Sequence, residues 1–160
     1  MIWLIGAGIM ARDYIDVLKT LDNQFLVVGR SEENAKKISK EKNIDVIAGG
    51  FNAYLEQKPV VCDAAIVAVD VDDLHSVTVS LLNYGVKKIL LEKPGGLNFK
   101  EINELSQLAD TKQAEVSIAY NRRYYAAVSE ALKLIEQDGG IESFHFEFTE
   151  WADDISGLKK

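Results

Sequence analysis

Short apolar runs alternate with helical patterns along the first 120 residues, and this alternation limits the fold more than any other feature. Six runs have the length of β-strands, at residues 2–5, 25–29, 45–49, 64–69, 88–91 and 115–119. Between them, apolar residues recur at helical spacing, as Leu74, Val77 and Leu81 do. The run at 64–69 is apolar on both faces, which is typical of a central parallel strand. The alternation therefore predicts an α/β fold with a doubly wound parallel sheet.

A glycine-rich turn joins the first predicted strand to the first predicted helix. Its pattern is Gly6-x-Gly8-x-x-Ala11. In such a turn the first glycine permits the tight bend, the second lets a pyrophosphate approach the backbone, and a small third residue lets the helix pack close to the strand. The N–H groups of Ile9 and Met10 are then predicted to point at phosphates from the helix N-terminus. We interpret the sheet as a Rossmann-type dinucleotide-binding domain. The predicted pyrophosphate-binding residues are Gly6, Ala7, Gly8, Ile9 and Met10.

The end of the second strand indicates which dinucleotide binds. An NAD-binding domain usually carries Asp or Glu about 20 residues beyond the glycines, where the acid binds the ribose hydroxyl. This chain has Gly29, Arg30 and Ser31 at that point. A guanidinium can donate a forked pair of hydrogen bonds to a 2′-phosphate, and Ser31 adds a hydroxyl at a helix start. Arg30 and Ser31 therefore predict NADP as the cofactor, with NAD as the alternative. The other interpretation is an exposed arginine beside an N-cap serine.

Further candidate residues follow the fourth strand. Val69 and Asp70 are placed to contact the cofactor through their backbone, and Asp72 or Asp73 to cap the next helix. His75 falls in the first turn of that helix, where it either faces the cofactor or is structural. Two aspartates with one histidine are not a convincing metal set, so no metal site is predicted.

Glu92-Lys93-Pro94 follows the fifth strand. Ligands of doubly wound sheets bind beyond the carboxyl ends of the strands, so Lys93 is predicted to lie near the nicotinamide. A lysine ammonium can hydrogen-bond the oxygen of a reacting carbinol and stabilise its alkoxide character. Glu92 and Lys93 are therefore candidate cofactor-binding residues, and Lys93 is the candidate catalytic residue. From position alone, an ordinary surface lysine at a strand end is the simpler interpretation.

The C-terminal quarter follows a different pattern. A longer helix is predicted at 123–137, and then a strand at 143–151 with Phe144, Phe146 and Phe148 on one face. A lone strand of this kind cannot bury its aromatic face. We therefore expect the chain to stop inside a second domain.

The predicted domains are a Rossmann domain at 1–120 and the first helix and strand of a truncated α+β open-sheet domain at 121–160. Alternatively, the last strand joins the edge of the first sheet or pairs with a second copy. Its exposed aromatic face predicts a homo-oligomer formed through 143–151. Asn121, with the two arginines after it, is either a cofactor-binding residue lining the cleft or part of a solvent-facing hinge.

Composition argues against several classes of function. The net charge is −7, and binding to a phosphate backbone requires clustered basic residues, so nucleic acid is not expected as the main partner. No apolar run reaches the length of a membrane span, and the N-terminus lacks a signal-peptide pattern, which predicts a cytoplasmic protein without a membrane partner. Cys62 is the only cysteine, so no intrachain disulfide forms. Its apolar surroundings predict a buried, inert thiol.

Together these motifs resemble the Gfo/Idh/MocA oxidoreductases. The resemblance rests on the glycine turn, on the fourth strand with His75 beyond it, on "LLEKPGGLN" at 90–98 and on "AYNRRYY" at 119–125. It implies a nucleotide-binding domain followed by an α/β domain with a large open sheet, and NAD(P)-dependent chemistry on sugars, sugar nucleotides and cyclitols. It also implies that Lys93 is the motif lysine near the reacting carbon. Asp70-Val71 departs from the family, where Thr-Pro or a similar pair is common.

The leading hypothesis is the cofactor-binding part of an NADP-preferring dehydrogenase or reductase that acts on a sugar-like hydroxyl or carbonyl. A non-catalytic dinucleotide-binding sensor or scaffold is the second hypothesis. A relative of dihydrodipicolinate reductase, which fits Glu92-Lys93-Pro94 less well, is the third. The family's further catalytic residues lie well inside its second domain, so we expect this chain to bind cofactor with little or no turnover.

Overall fold

The computed structural model of the chain describes residues 1–147. The chain divides into two compact units, residues 1–120 and residues from 121 onward.

The first unit is built on a six-stranded sheet. The strands are β1 Ile2–Ile5, β2 Phe25–Val28, β3 Val46–Ile47, β4 Ala64–Val67, β5 Lys88–Leu91 and β6 Glu115–Ile118. Their order across the sheet is β3-β2-β1-β4-β5-β6, and every neighbouring pair is parallel. From β1 the chain adds β2 and β3 on one side, and then β4, β5 and β6 on the other. This strand order is that of a Rossmann fold. The predicted fold class is confirmed.

Helices cover both faces of this sheet. They are α1 Ile9–Thr20, α2 Glu32–Lys42, α3 Phe51–Glu56, α4 Val71–Tyr84 and α5 Phe99–Lys112. Successive side chains of a strand point to opposite faces, and in β1 this sends Trp3 and Leu4 into two different apolar clusters. Trp3 lies with buried residues of α3, α4 and α5, while Leu4 lies with those of α1 and α2. The sheet is therefore the middle layer of three.

Trp3 occupies the centre of one of these clusters and is fully buried. Its ring meets Tyr54 edge-on at 5.2 Å between ring centres and Phe51 at 6.2 Å, both on α3. Tyr84, the last residue of α4, lies 6.0 Å away on another side. Edge-to-face aromatic pairs of this kind add about 0.5–1.5 kcal/mol beyond the burial of their surface.

The second unit differs from its predicted form. A short 3-10 helix spans Asn121–Tyr124, and the helix proper, α6, spans Ala126–Gln137 with Tyr125 as its N-cap. It therefore begins three residues later than predicted. It ends as predicted, because Gly139 and Gly140 both adopt positive φ, at 88° and 116°, which a helix cannot continue through.

The strand predicted at 143–151 does not form over its described part. Residues 143–147 have no strand structure, and residues 148–151 lie outside the described residues. A strand needs a neighbour for its backbone N–H and C=O groups, and all six described strands belong to the sheet of the first unit. Phe144 and Phe146 are nevertheless exposed, at 86% and 74%. The predicted association through this segment remains a prediction.

Between residues 1 and 147, no helix combines the length and the apolar character needed to span a bilayer.

Candidate functional site

A cleft of about 400 Å³ opens at the carboxyl ends of β1, β2, β3 and β4. This is where ligands bind in doubly wound sheets, at the point where the strand order reverses. Its volume falls within the usual range of small-molecule sites. Seven of the predicted site residues line it: Gly6, Ala7, Gly8, Arg30, Ser31, Val69 and Asp70.

The two glycines of the first turn have different structural roles. Gly6 has a φ of +126°, and a Cβ there would lie 2.0 Å from the carbonyl oxygen of Ala68. Only glycine fits that position, so Gly6 is required by the fold itself. A Cβ at Gly8 would meet no atom within 4 Å. The space beside Gly8 is therefore open to a ligand that approaches the backbone.

Helix α1 begins directly after this turn, and its N-cap residue lines the cleft. Its N-cap is Gly8, and no side chain accepts a hydrogen bond from the first-turn N–H groups. No acidic residue lies in that first turn. Unpartnered N–H groups with the positive end of the helix dipole favour an anion there. The arrangement fits the pyrophosphate of a dinucleotide.

Arg12 stabilises this turn, although the sequence around it does not mark it as a site residue. Its Nη1 donates to the carbonyl oxygen of Gly8 at 3.1 Å, and its Nε donates to Glu41 Oε2 at 2.9 Å. The hydrogen bond from Arg12 lowers the pKa of the exposed Glu41 carboxyl. Nothing in the local pattern marks Arg12, because its partner Glu41 lies on the neighbouring helix α2.

Arg30 reaches across the mouth of the cleft. Its Nη1 donates to Asp73 Oδ2 at 2.7 Å, and its Nη2 donates to Asp70 Oδ2 at 2.9 Å. Arg30 follows β2, whereas the two aspartates stand at the start of α4, beyond β4. The side chain thus bridges two strands that flank β1 in the sheet. Ser31 caps α2 as predicted, since its Oγ accepts from the N–H of Asn34 at 3.2 Å.

The predicted cap of α4 is wrong in position. The helix starts at Val71, so Asp70 is the N-cap and Asp72 and Asp73 lie in the first turn. The Asp70 side chain makes no capping hydrogen bond and pairs with Arg30 instead.

Lys93 follows β5, at the same edge of the sheet as the cleft but outside its lining. Its side chain is exposed, and its peptide bond to Pro94 is cis. Glu92, by contrast, is buried, at 7% exposure. Its Oε1 accepts a 2.6 Å hydrogen bond from the phenol of Tyr14 on α1. This hydrogen bond therefore connects the segment that carries Lys93 to α1, the helix that begins at the glycine turn.

Several predicted residues are not brought into the cleft. Ile9 and Met10 are exposed at the start of α1, at 80% and 39%, and do not line the cleft. His75 lies towards α5, where its Nε2 is 3.3 Å from Glu104 Oε2 without the geometry of a hydrogen bond. Asn121 belongs to the second unit.

The cleft also contains residues that sequence reasoning missed. They are Gly49 and Gly50 in the loop after β3, Phe51 and Asn52 at the start of α3, Asp73, Ser76 and Val77 on α4, and Asn34 on α2. A usable signal was present for the first group, because Gly49-Gly50 ends a predicted strand and the carboxyl ends of parallel strands meet at one edge.

Neither a metal cluster nor a reactive thiol marks the cleft. Among residues 1–147, no group of three or more His, Cys, Asp and Glu side chains is placed to hold a metal ion. Cys62 is buried, as predicted, with 7% exposure, and it does not line the cleft. Burial raises the pKa of its thiol to about 11.

Residues 1–120 match the family model described as "Oxidoreductase family, NAD-binding Rossmann fold". The chain belongs to the Gfo/Idh/MocA family. The resemblance inferred from its motifs is thereby confirmed, and the first unit is the family's NAD-binding Rossmann domain.

Three of the proteins that this chain resembles are dehydrogenases. The chain is 27% identical over 161 aligned residues to trans-1,2-dihydrobenzene-1,2-diol dehydrogenase of Mus musculus, covering 98% of this chain and 47% of the mouse protein. In fold it resembles the UDP-N-acetylglucosamine 3-dehydrogenase GnnA of Acidithiobacillus ferrooxidans, with a TM-score of 0.71, 21% identity, and coverage of 83% of this chain and 41% of that one. It also resembles the WlbA dehydrogenase of Bordetella pertussis in complex with NADH and UDP-GlcNAcA, with a TM-score of 0.74, 15% identity, and coverage of 85% and 42%.

The chain spans about half the length of the mouse relative and about two fifths of the length of these two solved structures. At such identities the two solved structures show a common fold. Their ligands belong to those proteins.

Proposed function

We propose that residues 1–120 bind NADP(H), and bind NAD(H) more weakly. They form the cofactor-binding part of an oxidoreductase. This enzyme transfers hydride between the nicotinamide and a ring carbon that bears a hydroxyl or carbonyl group. The observation that carries this proposal is the cleft at the strand ends, with the glycine turn and the uncapped start of α1 on one side and Arg30 on the other. In this proposal the glycine turn and the start of α1 bind the pyrophosphate, and Arg30 contacts the adenosine ribose.

Arg30 supports NADP(H) over NAD(H). β2 ends without a carboxylate that would repel a 2′-phosphate. The present partners of Arg30 are exposed carboxylates, and exposed ion pairs are worth only about 0–1 kcal/mol each. A dianionic phosphate can exchange for them through a forked pair of stronger, charge-assisted hydrogen bonds. Ser31 still has its O–H to donate, because its oxygen is the acceptor in the cap.

Lys93 is the proposed catalytic residue. Its side chain is exposed after β5, at the sheet edge where we propose that the cofactor binds. A bound nicotinamide would supply hydride acceptance or donation, and the ammonium of Lys93 would hydrogen-bond the oxygen on the reacting carbon. That bond strengthens as charge develops on the oxygen, which lowers the barrier to transfer.

The relatives support a cyclic alcohol as the substrate class. A dihydrobenzene diol and a UDP-linked N-acetylglucosamine both carry secondary hydroxyl groups on a six-membered ring. We propose a sugar, sugar nucleotide or cyclitol for this family member. We also expect the 160-residue chain alone to bind cofactor with little or no turnover, because it spans under half the length of these relatives.

The test is calorimetric titration of the chain with NADPH and with NADH at one salt concentration. We expect both to bind, and NADPH to bind more tightly. Tighter NADH binding would contradict the NADP preference and leave dinucleotide binding intact. Binding of neither would contradict the proposed function as a whole.

A further inference from the structure

Two carboxylates from another element hold the arginine on which cofactor choice depends. Asp70 and Asp73 accept from different nitrogens of Arg30, at 2.9 and 2.7 Å, and all three residues line the cleft. Neither aspartate belongs to the β2 end, where the ribose-binding acid of an NAD domain is normally found. Both carboxylates that pair with Arg30 thus come from a segment at least 40 residues further along the chain.

The group carries one positive and two negative charges, so its sum is −1. A 2′-phosphate that approaches Arg30 also approaches Asp70 and Asp73, and like charges repel it. A 2′-hydroxyl meets no such repulsion, and it can donate a hydrogen bond to either carboxylate. The aspartates therefore act on the two cofactors in opposite directions.

We propose that Asp70 and Asp73 are specificity-determining residues that limit the preference for NADPH over NADH. They do so by competing with the 2′-phosphate for Arg30 and by repelling it. This inference rests on the proposed function, because it assigns the adenosine ribose to the Arg30 side of the cleft. The two aspartates also supply, from the start of α4, the acid that is missing after β2.

The test compares Asp73→Asn and Asp70→Asn with Asp72→Asn. Asp72 is an exposed carboxylate in the same first turn of α4, outside the cleft lining, so it matches the change in charge and in helix-dipole interaction. Asparagine is as good an N-cap as aspartate, so the helix start is preserved. Dissociation constants are measured for NADPH and NADH, and also for adenosine 2′,5′-bisphosphate and 5′-AMP, which differ only in the 2′-phosphate.

Removing one carboxylate near a dianion is expected to raise the affinity ratio in favour of the 2′-phosphorylated ligand about threefold to tenfold. The double variant should raise it further, and Asp72→Asn should leave it unchanged. An unchanged ratio in Asp73→Asn and Asp70→Asn, with both cofactors still bound, would overturn this inference alone. An equal rise in Asp72→Asn would also overturn it, because the effect would then be one of net charge. Failure of every ligand to bind the unmodified chain would overturn the proposed function and this inference with it.

Discussion

The phenol of Tyr14 donates a 2.6 Å hydrogen bond to the carboxylate of Glu92, across 78 residues of sequence. Tyr14 lies on α1, which begins at the glycine turn, and Glu92 immediately precedes Lys93. One hydrogen bond thus joins the pyrophosphate side of the proposed site to its catalytic side. Because Glu92 is buried, this bond matters for stability: it gives one oxygen of the carboxylate a hydrogen-bond donor.

Tyr14→Phe should lower the free energy of unfolding by about 2 kcal/mol, because it leaves a buried carboxylate without its donor. Tyr84→Phe is the control, since the Tyr84 hydroxyl donates to a neutral acceptor, the carbonyl oxygen of Pro59. That variant should lose only about 1 kcal/mol. Urea unfolding at pH 7 measures both, and equal losses in the two variants would count against the role given to Glu92.

The stabilising contribution of the Tyr14 hydroxyl should be lost at high pH. Burial, and then the hydrogen bond and charge of Glu92, raise the pKa of Tyr14 well above its usual value of about 10. The folded chain therefore keeps a proton that the unfolded chain releases, so the contribution is complete below about pH 10 and declines as the pH rises above it. Unfolding curves at pH 9 and above should show a smaller decline in Tyr14→Phe than in the unmodified chain. Equal declines would contradict this.

Substitutions at the two glycines should separate the needs of the fold from those of the ligand. Gly6→Ala places a Cβ 2.0 Å from a backbone oxygen at a positive φ, so we expect a loss of at least about 3 kcal/mol in stability. Gly8→Ala adds a Cβ into open space, so stability should change by about 1 kcal/mol or less while dinucleotide affinity falls more than about tenfold. Thermal unfolding and calorimetry give the two values. A Gly8→Ala chain that binds cofactor normally would exclude the pyrophosphate from this turn.

Lys93→Met should separate catalysis from cofactor binding. The dissociation constant of NADPH should stay within about twofold, while hydride transfer falls at least about 100-fold in a protein that contains this unit and a complete substrate-binding region. Lys88→Met is the matched control, because Lys88 is an exposed lysine at the opposite end of β5. If Lys93→Met kept full turnover, the assignment of Lys93 would be wrong.

Cys62 should be inert in the folded chain. Its thiol is buried and its pKa is raised to about 11, so little thiolate forms at pH 8. A chromogenic disulfide reagent should react with it only slowly at that pH, and fully once the chain is unfolded in denaturant. Rapid reaction under native conditions would show that the loop before β4 opens easily.

Periodicity predicted most of this fold, because each strand and helix of the first unit buries a face. The run at 64–69 is the clearest case, since only a central strand covered on both sides uses apolar residues so continuously. The strand at 143–151 was predicted by the same reasoning from its alternating phenylalanines. No strand forms in residues 143–147. Alternating apolar residues favour a strand only where a neighbouring strand is present to pair with it.

The site was predictable as far as its edge of the sheet, and no further. Strand ends identify Gly6, Gly8, Arg30 and Asp70, since the carboxyl ends of parallel strands meet. The pairing of Arg30 with Asp73 depends on how far α4 lies from β2, which depends on the packing of three strands and has no signature in either segment. The direction of His75, towards α5, is likewise set by the packing of α4 against α5.

The burial of Trp3 gives the domain a built-in optical reporter. Its indole is shielded from solvent and touches Phe51, which also lines the cleft. The chain's other tryptophan, Trp151, can be replaced by phenylalanine to leave Trp3 as the single tryptophan. Reduced nicotinamides absorb in the range where a buried indole emits, so a bound dihydronicotinamide would quench Trp3 by energy transfer while the oxidised form would not. Binding of the reduced cofactor, and its oxidation while bound, then become readable from fluorescence alone.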